Sequence, residues 1–394
     1  MVDPLPPPQS RRNPRSDGFE PQSMRPRYFL KRSRYRKTLG AALIRVGVVG
    51  FGLGGRVFHA PLISSVEGLE LAAVVERSTD KARNRYPDIA IYRTLDELLA
   101  DRSIDLVAVT TPSGNHFESA KAALEAGKNV VVDKPTAVTS DEIAELIRIA
   151  AGRGLLLAPF HNRRWDSDFR TIQKVLREQC LGRLVHFESY FDRWRPTNSP
   201  KKWKEDTAAG GGMLLDIGTH LVDQALTLFG KPLAVNATVL RERDGEGAND
   251  SFTIHLRYGK LAATLGANLL ASPGRPRFLL RGVKGNYWKW GLDPQEAALN
   301  QISRIPEGPW GYESPANWGT MNVDVDGGMV IRPVAAAAGD YRMYYAGVRD
   351  ALLNAAAPPV TGRDSWQTAR VLEWAAESSE RRREIECDWS GEPA

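Results

Sequence analysis
The sequence holds little that would staple, ligate or anchor a chain. Cys180 and Cys387 are the only cysteines in 394 residues, too few for a disulfide framework or a thiolate metal cluster. The six histidines show no spacing that matches a metal site. No apolar run approaches the roughly eighteen residues that a membrane helix needs, so no membrane partner is expected. A net charge of +6 would suggest nucleic acid, but the surplus is not spread over the chain. Residues 1–44 carry ten Arg or Lys against Asp3, Asp17 and Glu20, which leaves the rest of the chain nearly neutral. No nucleic-acid partner is expected. The Pro- and Arg-rich segment 1–44 reads as a disordered basic tail. It lacks a secretory apolar stretch with a cleavage site, so the expected location is cytoplasmic.

What is present is a core-forming body, 42% hydrophobic, long enough for two domains. From Arg45 onward, short continuous apolar runs alternate with helical stretches, the pattern of a parallel sheet buried on both faces. The expected strands are Ile44 to Val49, Leu69 to Val75, Leu106 to Thr110, Asn129 to Val132 and Leu155 to Ala158. Helices are expected at Gly54 to Val66, Asp80 to Tyr86, Asn115 to Ala126 and Ser140 to Ala151, the last two ending at Gly127 and Gly152. After about residue 160 the strands lengthen and alternate in polarity. Val185 to Arg193, Leu233 to Glu242, Ser251 to Tyr258, Lys260 to Ala267 and Arg277 to Gly282 read as an antiparallel sheet packed on a helix at Gly212 to Phe229. Leu292 to Asp340 reads as a long connection without clear period. Helices at Tyr341 to Asn354 and Asp364 to Arg383 close the chain. The fold class is therefore α/β: a doubly wound parallel sheet over 45–160, then an α+β domain over 161–394, whose last helices can pack back on the first domain.

One glycine-rich turn has a specific context. Gly50, Gly52 and Gly55 follow a strand and open a helix, the arrangement that brings a dinucleotide pyrophosphate onto a helix N-terminus. Glu76 ends the second strand, where a carboxylate hydrogen-bonds the adenine ribose and favours NAD. Arg77 follows it and could pair with a 2′-phosphate, so NADP stays open. Pro112, Asn115 and His116 follow the strand at Leu106 and face the same crevice. Lys134, in Asp133-Lys134-Pro135, sits at the carboxyl edge of the sheet, where its charge can stabilise a reacting oxygen. Asp216 and His220 are four residues apart, within reach of each other on a helix, and a carboxylate beside an imidazole makes a proton acceptor. Asp223 and His59 are weaker candidates.

With these segments, the chain resembles the glucose-fructose oxidoreductase, inositol dehydrogenase and rhizopine-catabolism family from Arg45 to the C-terminus. Val49 through Pro61, Asp133-Lys134-Pro135, Phe160 through Asp166, and Gly210 through His220 carry the likeness. The Phe58-His59-Ala60-Pro61 form and Leu292 through Glu296 look most like its scyllo-inositol dehydrogenase branch. The resemblance implies a Rossmann domain followed by an open-faced antiparallel sheet, through which subunits pair as homodimers or homotetramers. It implies that Lys134 polarises the reacting hydroxyl, that His220 accepts its proton with Asp216 in support, and that Asn162, Arg163 and Trp165 line the substrate crevice. Trp203 would lie near the cofactor. The implied activity is NAD- or NADP-dependent dehydrogenation of a sugar or cyclic polyol. A cofactor-sensing regulatory protein of the same fold and an NAD-dependent glycosidase are the alternatives.

Overall fold
The computed structural model describes residues 36–38 and 41–393, apart from 208, 303 and 309. The first sheet contains β1 (Arg36–Thr38), β2 (Ala41–Val49), β3 (Leu69–Val75), β4 (Ala90–Tyr92), β5 (Leu106–Val109), β6 (Asn129–Val132) and β7 (Leu157–Pro159). Six of these strands run parallel in the order β4-β3-β2-β5-β6-β7, while β1 pairs antiparallel with the start of β2. Strand β2 thus begins ahead of Ile44, and Arg36–Thr38 belongs to the sheet instead of a disordered tail. The remainder of the expected tail, residues 1–35 and 39–40, lies outside the described residues.

The continuous apolar runs follow from burial on both faces. Leu106 and Ala108 join one core cluster while Val107 and Val109 join another, because alternate strand residues point to opposite sides. Tyr341, Tyr344, Tyr345 and Val348, at the start of the helix Arg342–Asn354, close the first of these cores. The strand order reverses between β2 and β5, and ligands of open α/β sheets bind at such a switch point.

The second sheet has nine strands: β8 (Leu184–Tyr190), β9 (Ala234–Leu240), β10 (Ser251–Arg257), β11 (Ala262–Asn268), β12 (Phe278–Gly282), β13 (Gly285–Lys289), β14 (Gly319–Val325), β15 (Gly328–Val334) and β16 (Ile385–Glu386). It is mixed and not purely antiparallel, because β8 and β11 pair in parallel. The helix Thr219–Phe229 lies over it, with Leu221, Val222 and Ala225 in the shared core.

Several elements differ from expectation for visible reasons. The segment Leu292 to Asp340 is structured: it holds a helix at Gln295–Leu299 and the β14–β15 hairpin. Asp326 and Gly327 make that hairpin's turn with φ of 52° and 85°, the signature of an Asp-Gly type I′ turn. A helix at Leu95–Ala100, opened by a Thr94 and Glu97 capping box, and another at Ser167–Arg177 are additional. The helix from Ser140 runs on to Arg153 and stops at Gly154 in the left-handed conformation, two residues beyond Gly152. Asp80 to Tyr86 contracts to a short 3₁₀ turn, Lys81–Asn84. Among the described residues no helix is long and apolar enough to cross a membrane.

Candidate functional site
The turn after β2 is shaped by what its backbone cannot tolerate. Gly50 has φ +94°, a conformation that side chains disfavour. A Cβ on Gly55 would lie 2.2 Å from the Gly50 carbonyl oxygen. A Cβ on Gly52 would meet nothing within 4 Å, so the space above that residue is open. Thr110, at the end of β5, locks the turn by donating its hydroxyl to the Gly50 carbonyl at 2.6 Å. The chain then enters a wide π-helical turn, Gly54–His59, ahead of the helix Ala60–Ser64.

This turn opens onto a cavity of about 470 Å³ that collects many of the expected residues. Gly52, Pro112, His116, Lys134, Asn162, Arg163, Trp203, Asp216 and His220 all line it. Asn115 is exposed outside the lining, and Trp165 packs against Tyr344 instead, at 5.8 Å between ring centroids. The His116 ring nitrogens lie 2.6 Å from the Pro135 carbonyl and 2.8 Å from that of Thr111, so the imidazole ties together two loops of the crevice. Asp133 receives the Lys134 amide at 2.8 Å and sits 3.7 Å from buried His59, whose other nitrogen contacts the Tyr345 hydroxyl at 2.6 Å. Burial works to raise the Asp133 carboxyl, yet His59, His116 and Lys134 outweigh it and hold the group below the usual range.

The expected Asp216 and His220 pair does not form. Asp216 lies in a second π-helical turn, Leu214–Gly218, whose i→i+5 bonding puts more residues in each turn and breaks the four-residue register with His220. Its carboxylate instead accepts from Lys134 Nζ at 2.5 Å, and the same nitrogen donates to the Asp216 backbone carbonyl at 2.7 Å. Lys204 approaches the other carboxylate oxygen at 3.5 Å. Partial burial opposes ionisation of Asp216, but Lys134, Lys204 and Arg193 hold its carboxyl below the ordinary range. His220 is 4% exposed, and among the described residues its Nδ1 has no hydrogen-bond partner. Burial first, then the cations Lys134 and Arg163, push its pKa well below the usual imidazole value, so the ring is neutral. Asp223 is committed to Arg164, at 2.6 Å, well inside the protein.

Glu76 also departs from its expected role. Its carboxylate is buried and turned into its own loop, accepting from the amides of Lys81 and Ala82 at 2.8 and 2.7 Å and from the Thr79 hydroxyl at 2.6 Å. Those bonds use about three of the four acceptor positions of a carboxylate. Glu76 therefore caps the 3₁₀ turn rather than facing a ribose, which removes the reason for favouring NAD. Arg77 and Ser78 beside it are exposed.

Residues not anticipated from sequence complete the far wall. Arg163, expected in the crevice, is anchored there by Glu296 at 2.5 Å and Asp166 at 3.4 Å. Arg193 and Arg195, spaced two apart after β8, line the same cavity with Lys201 and Lys204. The only signal for them in the sequence is the Arg-Trp-Arg alternation at the end of a strand.

A backbone turn shaped for a dinucleotide, facing a wall of charged side chains with a neutral histidine between, defines a nicotinamide-dependent oxidoreductase. A family model described as an oxidoreductase family with an NAD-binding Rossmann fold matches residues 44–161, and a GFO/IDH/MocA C-terminal domain matches residues 169–288. The chain belongs to the GFO/IDH/MocA oxidoreductase family, and its cofactor is NAD or NADP. It is similar to the oxidoreductase YdgJ of Escherichia coli, 39% identical over 86% of this chain and 97% of that protein. It is also similar to the scyllo-inositol 2-dehydrogenase (NADP(+)) IolW of Bacillus subtilis, 35% identical over 87% of this chain and 95% of that protein. Among solved structures, an oxidoreductase from Bacillus cereus superposes with a TM-score of 0.79 at 26% identity, over 88% of this chain and 99% of that one.

Proposed function
We propose that this chain transfers a hydride between NADP and a hydroxyl-bearing carbon of a sugar or cyclic polyol. The observation that carries the reading is the meeting of Lys134, fixed by two bonds to Asp216, and neutral His220 in the cavity that Gly52 also lines. When bound, the nicotinamide supplies the two-electron acceptor or donor. Lys134 directs its ammonium at the reacting oxygen and stabilises the negative charge that develops there. Asp216 acts through Lys134, holding it in place. His220, kept unprotonated by burial and by Lys134, accepts the hydroxyl proton in the oxidative direction.

Two observations favour NADP: Glu76 is used up by its own loop, and Arg77 stands exposed at the end of β3, where a 2′-phosphate would seek a guanidinium. The similar IolW, a scyllo-inositol 2-dehydrogenase (NADP(+)), points the same way and also supports a polyol substrate. The exposed apolar residues Met329, Val330 and Ile331 of β15 are read as part of a face that pairs with a second copy, and Ile331→Glu with light scattering tests it. The main experiment follows nicotinamide absorbance while inositols and aldoses are offered with each cofactor. Reduction of NADP by one of them supports the reading. Tight cofactor binding with no absorbance change for any of them overturns it in favour of a binding protein.

A further inference from the structure
We infer that the hydroxylated substrate also carries an anionic group, a carboxylate or a phosphate ester, and that Arg193 and Arg195 receive it. The inference rests on the oxidoreductase reading above. Lys134 and Lys204 are paired with Asp216, Arg163 with Asp166 and Glu296, and Arg243 with Glu205 and Asp250. Arg193, Arg195 and Lys201 line the same space, and among the described residues none of them has a carboxylate in ion-pair reach. Cationic side chains thus outnumber carboxylates along the crevice, where Glu296 and Asp216 act on Arg193 only from beyond ion-pair distance.

These arginines are held in place by the sheet. Beyond β8 the chain stays extended, with the Phe191, Arg193 and Arg195 amides donating to the Gly266, Asn268 and Leu269 carbonyls at 2.9, 2.9 and 2.7 Å. Residues two apart in extended chain share a face, so Arg193 and Arg195 project together while Trp194 points away, 60% exposed. The Arg193 guanidinium lies 4.8 Å from the Phe191 ring centroid, and Arg163 lies over the same ring at 4.8 Å. Arg193 is therefore a stacked fork and not a free surface rotor. It is partly buried, and Glu296, Arg195, Arg163 and Asp216 are the charges that act on it, which puts it beside the groups of the reacting end. A planar fork matches a carboxylate or phosphate bidentately, whereas a neutral polyol would leave the surplus charge uncompensated. The cofactor pyrophosphate is the competing anion, and the experiment must separate the two.

The test uses the full chain with NADP and matched compounds: D-glucose against D-glucose 6-phosphate and D-glucuronate, and myo-inositol against myo-inositol 1-phosphate. At least one anionic compound should exceed its neutral parent in kcat/KM by about tenfold, the scale of a charge-assisted hydrogen bond. Arg193→Ala should bring that ratio toward one, and Arg193→Lys should restore part of it. The phosphate and carboxylate arms show which group is read. Thermal stabilisation of the NADP-loaded protein gives a second readout, with the anionic compound raising Tm in wild type but not in Arg193→Ala. Equal use of neutral and anionic compounds overturns the inference. So does an unchanged ratio in Arg193→Ala accompanied by about tenfold weaker NADPH binding, which would assign the arginine to the cofactor. If nothing is turned over yet the anions still stabilise wild type alone, the anion site stands and the dehydrogenase reading falls. Absence of both turnover and selective stabilisation removes the inference.

Discussion

The two walls of the crevice are built by different means. The wall after β2 is mostly backbone: Gly50, Gly52 and Gly55 set its shape, and Thr110 pins it through a carbonyl. The opposite wall is mostly charged side chains, cross-linked in pairs such as Lys134 with Asp216 and Arg163 with Glu296. A backbone surface can hold a phosphate whatever else is bound, because its amides cannot rearrange. A side-chain surface can be re-cut for a different substrate by changing a few residues while the sheet beneath stays the same. The contrast predicts that damage to the first wall appears in cofactor affinity and stability, and damage to the second in turnover.

The largest expected effect lies on the second wall. Lys134→Ala should lower kcat by about 100-fold or more, the scale of a lost electrophilic group, with cofactor affinity changing far less. Stopped-flow turnover alongside a fluorescence titration of NADPH checks both halves, and near-normal kcat removes Lys134 from the chemistry. On the first wall, Gly55→Ala forces a methyl against the Gly50 carbonyl, where the Cβ would stand 2.2 Å from the oxygen. That should cost about 1–3 kcal/mol in stability and weaken the cofactor by about tenfold. Unchanged Tm and affinity, with only kcat reduced, would erase the difference between the walls.

The same contrast explains what the sequence revealed. The glycine turn was legible because its determinants lie within six residues and backbone geometry admits almost no substitute for them. The parallel strands were legible because burial on both faces leaves unbroken apolar runs. The pairing of the second wall was not, since Lys134 meets Asp216 across 82 residues and Arg163 meets Glu296 across 133. Asp216 and His220 show how a local rule fails: four-residue spacing implies contact only in a regular α-helix, and the π-turn at Leu214–Gly218 removes that regularity. Glu76 was read correctly in position but not in direction, because the Thr79, Lys81 and Ala82 donors that capture it belong to a turn with no apolar period to announce it.

A smaller effect tests the edge of the first wall. Arg77→Ala should reduce the preference for NADP over NAD by about tenfold, since one charge-assisted bond to a phosphate on an exposed surface is lost. Glu76→Gln should leave that preference almost unmoved while lowering stability, because its carboxylate serves the turn. A changed cofactor ratio in Glu76→Gln would return the side chain to the ribose.

The smallest effect concerns His220, where the side-chain wall meets burial. Its folded pKa is depressed well below 6.5 by burial and neighbouring cations, whereas in the unfolded chain it titrates near 6.5. Below 6.5 the unfolded state therefore binds a proton that the native state refuses. Its contribution to stability is complete above 6.5 and declines as pH falls toward the folded pKa. Asp166, Asp293 and Glu313, whose carboxyls burial raises, act in the opposite sense because the native state takes up their protons first. The His220 contribution is isolated by comparing wild type with His220→Gln in urea at several pH values. Between pH 6.5 and 5.5 wild type should lose on the order of 1 kcal/mol relative to the variant. Parallel curves would mean that the native state takes up the His220 proton as readily as the unfolded chain does, so that burial and the neighbouring cations do not hold the ring neutral below the ordinary imidazole range.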